Sequence, residues 1–582
     1  MRIMAWGLAV ATLATSATAW AAEPPLDPRL KLLADSYVAA RLDRDPHLTL
    51  RNKIIASPEY DARLPDRTPA GLERFDRRVD RLAREIDRLD ARRFTGGSRV
   101  LHALLREELT VAREARVCRQ DRWDISSFES LVSDVQAVAA RQPVGSPAAR
   151  ARAISRWSAY PAMLDQHIAN LRQGLESGHT VPKIVAERVA AQVDKTLEAG
   201  IAGSPYLEAA RQDHDPVFTR QMRAIVETAV NPALKRFSRF LKDEYRPRTR
   251  ETLGIWSIPE GDACYRALLR KHTTSTLTPA QLRAAIGARN AQGVAQALKL
   301  GLALYGLDDL AAISERARSD PAEKLGSAEK MLALAKDIVA RSRQSFVPLF
   351  HKMPTQGVAV RAYPPERQGL GLTHALESSK IRGGPATYWV PTDNVAAIPR
   401  SVHVNVSLHE AFPGHMMVDS RYLDSHPLFR LNFLASYNEG WAQYAETLDE
   451  DGGFPRTPTG KIILGPVDGR LALLDLGIHE GRWTIAQART FWQQNGGNLK
   501  RLDDSLVRQA AWPGYAVSYE AGRGEISALR AEAEAALGSR FDIRDFHAAV
   551  LGNGPVPLTL LRRNVEQWIA REKATLRHTR LR

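Results

Sequence analysis

Cysteine is almost missing: Cys118 and Cys264 are the only two in 582 residues. That excludes a disulfide scaffold and any cysteine-based zinc finger. In an oxidising compartment the two can pair, and otherwise they are two buried thiols; the sequence leaves both open. Long apolar runs are missing too. Beyond the first residues, no stretch approaches the ~20 apolar residues needed to cross a bilayer, so no stable membrane anchor is expected. No segment recurs at a fixed period, which removes solenoids and propellers. Strand-like runs are scarce. Acidic residues fall short of basic ones, 66 against 81, for a net charge of +15. The excess is mostly arginine interleaved with acids, as in Arg77-Arg78-Val79-Asp80-Arg81. There is no RNP motif and no continuous basic helix, so solvated helix faces explain the charge and nucleic acid is not an expected partner.

What is present begins with a leader. Arg2 precedes a short apolar run, and the small residues Ala17, Ala19 and Ala21 follow. This is the layout of a secretory signal peptide over 1–21, cut near Ala21. The expectation is export, to the periplasm where the host has an outer membrane. No cysteine lies at the cut, so lipid attachment there is not expected. The rest is 44% hydrophobic and 25% charged, ordinary for a globular protein.

Helical spacing dominates. Leu72, Phe75, Val79, Leu82 and Ile86 recur at steps of three and four. Residues 97–116 and 184–199 behave alike. Thr278-Pro279-Ala280-Gln281 and Thr484 with Gln487 predict capping boxes, and Ser327 a simple N-cap. Residues 358–362 and 386–390 are the two clear strand candidates. The expected fold is mainly α, a large multi-helix body with a few short strands. Its regions are a helical N-terminal part (22–250), a helical connector with short strands (251–400) and a helical metal-site part (401–582), intertwined in one body.

The chemistry concentrates in Leu408-His409-Glu410-Ala411-Phe412-Pro413-Gly414-His415. A zinc hydrolase needs neutral imidazoles, an open position for water and a carboxylate to take that water's proton. In HExxH the histidines stand four apart on one helical face. Here they stand six apart, a turn of about 600° that points them away from each other on an unbroken helix. The spacing works only if the helix breaks between them. Pro413 and Gly414 are residues that break helices. Glu439, in Tyr437-Asn438-Glu439-Gly440-Trp441-Ala442, follows His415 by 24 residues. Glu446 lies two helical turns beyond it, placed to orient a histidine from behind.

A third element stands at Pro513-Gly514-Tyr515-Ala516-Val517-Ser518-Tyr519-Glu520-Ala521-Gly522-Arg523. Together with HExxPGH and EGWA, the segment 254–261 and Asp475-Leu476-Gly477-Ile478-His479, it resembles a widespread bacterial family. That family is catalogued as a domain of unknown function and grouped with the gluzincin-like metallopeptidases. The resemblance covers about residues 30–570. It implies a gluzincin-like fold, a Zn2+ cofactor held by His409, His415 and Glu439, and Glu410 as general base. The sequence departs from the family at Met416-Met417-Val418, at Tyr515 and at Arg523. The departures spare the ligands and leave substrate preference open.

The expected activity is hydrolysis of peptide bonds. Tyr519 is the first choice for a donor to the tetrahedral oxyanion, with His547 and His479 behind it. For each of the three, a structural hydrogen bond is the competing role. His479 also counts with Tyr388 and Arg523 as a substrate-side candidate: Arg523 for a substrate carboxylate, Tyr388 through a strand edge that pairs with extended peptide. Two rivals stand beside the peptidase, a metal-dependent amidohydrolase of a non-peptide amide or cell-wall fragment and a catalytically silent peptide-binding relic. Neither the substrate nor the oligomeric state is legible.

Overall fold

The computed structural model describes residues 25–580, apart from 53, 55, 127–134, 136, 137, 364–367, 369–372, 378–383, 421–425, 432 and 466. The leader over 1–21 lies outside the described residues. The fold is mainly α, with one small sheet. The helices that frame the site begin with α1 (Pro28–Arg44), α2 (Pro69–Asp87) and α3 (Gly96–Glu114). They continue with α4 (Gly261–Thr273) and α5 (Ala328–Ser345). After the sheet come α6 (Arg400–Glu410), α7 (His415–Asp419), α8 (Ala435–Glu446), α9 (Val467–His479), α10 (Leu502–Ala511) and α11 (Tyr515–Leu537). Among the described residues, no helix is long and apolar enough to cross a membrane.

Local signals act as their chemistry dictates. The Thr68 hydroxyl accepts from Gly71 N–H and Pro69 opens α2, while Val79, Leu82, Ala83 and Ile86 line its buried face. Both capping boxes form, at Thr278 and Thr484. Ser327 caps Lys330 N–H alone.

The sheet has the order β1-β3-β2, with β1 (Val358–Ala362), β2 (Ala375–Glu377) and β3 (Ala386–Val390). β1 runs parallel to β3 and pairs Val358 with Ala386; β2 runs antiparallel and pairs Leu376 with Tyr388. β3 is therefore central. This corrects the expectation for Tyr388. Its strand has no free edge to offer a peptide, and its side chain is buried with its hydroxyl 3.2 Å from Ser407 Oγ on α6. Among the described residues the two edge strands are β1 and β2, and β2 is the one beside the site.

Two large apolar clusters fill the body, and each draws on distant parts of the chain. One joins α1, α2, α3 and α5 to the sheet, to α6 through α8 and to the C-terminal helices. The other joins residues 118–286 to α9 and α10. Cys118 and Cys264 are joined by a disulfide inside the second cluster. Helix α11 belongs to both: Val517 packs into the second cluster, Ile526 and Leu529 into the first.

Candidate metal centre

Helix α6 ends at Glu410, and α7 starts at His415. Between them the chain folds back until Gly414 N–H donates to Leu408 O at 3.1 Å. A side chain at Gly414 would meet His409 O at 1.9 Å, so the turn needs glycine for its missing Cβ. The Trp441 indole N–H, donating to Pro413 O at 3.0 Å, ties the turn to α8. The break brings the two imidazoles edge to face, with ring centres 4.7 Å apart.

Glu439 comes from α8. It is set by an unusually close crossing with α11: a Cβ on Gly440 would lie 2.4 Å from Gly522 Cα, and one on Gly522 would lie 1.7 Å from Ser436 O. Two glycines facing each other let the backbones touch. Glu439 Oε2 then lies 3.2 Å from His409 Nε2 and 3.4 Å from His415 Nε2. In a tetrahedron with metal–ligand arms of about 2.0–2.1 Å, ligand atoms stand about 3.3–3.4 Å apart. Both carboxylate–imidazole separations, and the chemistry of the donors, fit a zinc ion. Glu410 is adjacent; it, His409 and His415 can each place one ligand atom within 4.8 Å of the others.

Behind His409 runs a polar chain. Glu446 Oε1 accepts from His409 Nδ1–H at 2.7 Å, which orients the ring with Nε2 toward Glu439; with a metal bound, Nε2 would be the ligating nitrogen. Asn405 Nδ2 donates to Glu446 Oε2 at 2.6 Å, and Arg456 donates to Asn405 Oδ1 at 3.0 Å. Burial disfavours a charged His409, yet Glu439 and Glu446 outweigh it and raise its pKa well above the usual value. Burial also opposes the Glu439 carboxylate, but His409 and His415 hold its pKa far below the ordinary range. Glu410 moves the other way, raised by burial and by Glu439 against the pull of the histidines; Leu376 N–H of β2 donates to it. The Tyr515 hydroxyl donates to Glu439 Oε1 at 2.8 Å. Tyr519, one turn on, reaches Glu439 as well, and Arg508 of α10 donates to its oxygen at 3.5 Å. Burial and Glu439 raise the Tyr519 pKa, so its hydroxyl keeps its proton.

These groups open on a cavity of about 560 Å³, walled by β2, α6, α7, α8, α10 and α11, with Arg51, Arg141 and Phe433 on its rim. Of the residues singled out in the sequence, His409, Glu410, His415, Glu439 and Tyr519 meet here. Four others do not. Tyr388 is buried in the sheet, as described. Arg523 is not on the cavity wall; it donates to Glu520 Oε1 at 2.7 Å, one turn back on its own helix. His479 is fully buried, its Nδ1 accepting from Ile255 N–H and its Nε2–H donating to Gln509 O, both at 3.0 Å. His547 is buried too: Nδ1–H donates to Leu349 O and Nε2 accepts from the Tyr444 hydroxyl, both at 2.9 Å. Backbone carbonyls fix both rings as structural partners. The sequence reading missed Asn405, Arg508, His374 and the Leu376 N–H. Only Asn405 carried a signal, one helical turn before His409.

The fold is shared with two solved structures. One is described as "the putative lipoprotein from Colwellia psychrerythraea"; it is 21% identical, with a TM-score of 0.82, over 93% of this chain and 99% of that one. The other is described as "a putative lipoprotein of unknown function from Shewanella oneidensis"; it is 16% identical, with a TM-score of 0.70, over 92% and 99%. No curated protein matches the chain. A family model does match, across residues 52–565, nearly the whole described chain, and by that match the protein belongs to the family of bacterial proteins of unknown function DUF885.

Proposed function

We propose that this chain is an exported, gluzincin-like zinc peptidase. The observation that carries the reading is the convergence of His409, His415 and Glu439 at tetrahedral spacing beside a buried carboxylate on a cavity wall. Held by these three residues, zinc supplies a Lewis acid that polarises a carbonyl and acidifies water. The remaining work falls to the chain. Glu410, buried and steadied by Leu376 N–H, takes the proton of the attacking water. The Tyr519 hydroxyl donates to the oxyanion that develops on the peptide carbonyl. Glu446 keeps His409 in its ligating tautomer. Among the described residues β2 is an edge strand beside Glu410, where an extended peptide can lie along it. A cavity of about 560 Å³ suits a short peptide segment and not a folded domain. Export draws support from the leader, from the Cys118–Cys264 disulfide and from the lipoprotein description of the two solved relatives.

The test is zinc content with peptide cleavage before and after chelation, in the wild type and in Glu410→Gln. The wild type should hold about one zinc per chain and lose cleavage on chelation. Glu410→Gln should keep zinc and lose ~10²–10⁴-fold in turnover. Normal cleavage by zinc-loaded Glu410→Gln would remove the base. Metal-dependent turnover of acylated amino acids, with no peptide cut, would favour a non-peptide amidase.

A further inference from the structure

Two histidines outside the metal centre are bonded to each other. His374 Nε2 lies 3.1 Å from His403 Nδ1, and His403 Nε2 lies 2.8 Å from Met331 O. The direction of this chain is fixed at its far end. A carbonyl only accepts, so His403 Nε2 carries the proton and His403 Nδ1 a lone pair. That lone pair takes the proton on His374 Nε2. A neutral imidazole has one N–H, so His374 Nδ1 is left as an acceptor. Both rings are neutral: burial pushes His403 down to about 4 and His374 to about 3.

His374 lines the cavity, immediately before β2 and two residues from the Leu376 N–H that holds Glu410. Among the described residues, Nδ1 of His374 has no partner. The surrounding wall carries Arg51, Arg430 and Arg508, which only donate, together with Asp419, Asn52 and Asn438, which can accept. Glu377, an acceptor on the same wall, already serves Arg141 and the Trp389 indole. A substrate N–H needs an acceptor, and His374 Nδ1 is one beside β2 and Glu410.

We propose that His374 determines specificity by accepting, at Nδ1, a hydrogen bond from one backbone N–H of the substrate, so that the cavity selects peptides with a secondary amide at that position and discriminates against proline or N-methylated residues there. The proposal rests on the peptidase reading and deepens it. Its ligand is a peptide N–H, and its geometry involves none of the zinc ligands.

An N-methyl scan tests it. Peptides that differ by one backbone methyl are compared by kcat/KM in zinc-loaded wild type, His374→Phe and His374→Asn. In the wild type, one position should lose about 3- to 10-fold on methylation, the worth of a neutral hydrogen bond. His374→Phe, which keeps a ring but has no acceptor, should lose a similar factor on the unmethylated peptide and become indifferent to that methyl. His374→Asn, whose Oδ1 can stand near Nδ1, should retain the discrimination. An equal methyl penalty in wild type and His374→Phe overturns the proposal while leaving the peptidase intact. So does a wild type with no position-specific penalty, a result that needs no variant to fold. If zinc-loaded wild type cuts no peptide at all, the peptidase reading fails first and the proposal with it.

Discussion

His409 and His479 are both buried helical histidines near the end of their helices, each with an acid close by in sequence. Their surroundings send them opposite ways. His409 faces Glu446 on one side and Glu439 on the other, and carboxylates overcome burial to favour its charged form. His479 faces a backbone N–H and a backbone carbonyl, so burial wins and pushes its pKa down to about 3. The nearby acid, Asp475, accepts from the Tyr265 hydroxyl at 2.6 Å and from Gly514 N–H, and never reaches the histidine. The comparison teaches that a histidine's use is decided by what its two nitrogens meet. Carboxylates face both nitrogens of His409, as the proposed metal centre requires, whereas backbone partners close His479 into the core.

The sharpest way to break the contrast is to remove the rings. His409→Ala or His415→Ala should take zinc from about one per chain to near none and abolish turnover. His479→Ala should keep zinc and lose stability, because two buried backbone groups lose their partner. Metal analysis and thermal melts on the three variants decide it; full zinc in His415→Ala would erase the distinction. Tyr519→Phe should lower kcat and kcat/KM together by ~10²–10³-fold, as expected for a donor to the oxyanion. Tyr515→Phe, which frees Glu439 Oε1, should mainly weaken zinc retention. Exchanged phenotypes would mean that the two tyrosines have been given each other's roles. Glu446→Gln should weaken zinc by about 10- to 100-fold, since Gln does not hold His409 as firmly in its ligating tautomer; a competition titration with a chelator measures it. A separate contrast belongs to Asp475. Burial pushes its carboxyl up to about 7, against Tyr265 and Gly514, which lower it. Unfolded, it ionises near 3.8. Between roughly pH 4 and 7 the folded chain therefore keeps a proton that the unfolded chain has lost, and stability falls as pH rises through that window, by ~4 kcal/mol at most. Asp475→Asn should flatten that part of the stability profile in denaturant melts, with zinc content unchanged.

Much of this was visible in the residues. Helices with clean apolar steps and capping boxes appear where the pattern places them, and β1 and β3 have the expected bounds. The break between His409 and His415 was readable from Pro413-Gly414, although the reason for glycine is a backbone contact and not a positive φ. β2 was not readable. It has three residues, Ala-Leu-Glu, that favour helices, and it exists because β3 offers a partner. That pairing also made Tyr388 central. Its alternating burial marks a strand but says nothing of which edge is free. Arg523 could have been read better, since Glu520 stands one helical turn before it. His479 and His547 could not, because backbone carbonyls leave no letter in the sequence.

Helix α11 has a further consequence for how the molecule comes into being. It is the wedge common to both apolar clusters, it supplies Tyr515 and Tyr519, and its Gly522 seats the helix that bears Glu439. It is made long after the first part of the cluster it closes, which includes Leu30. During synthesis the two histidines emerge about a hundred residues ahead of it. Until α11 arrives, Glu439 has neither its tyrosine nor the surface it packs on. In a chain ordered in this way, the wall that holds Glu439 is completed only when α11 has docked.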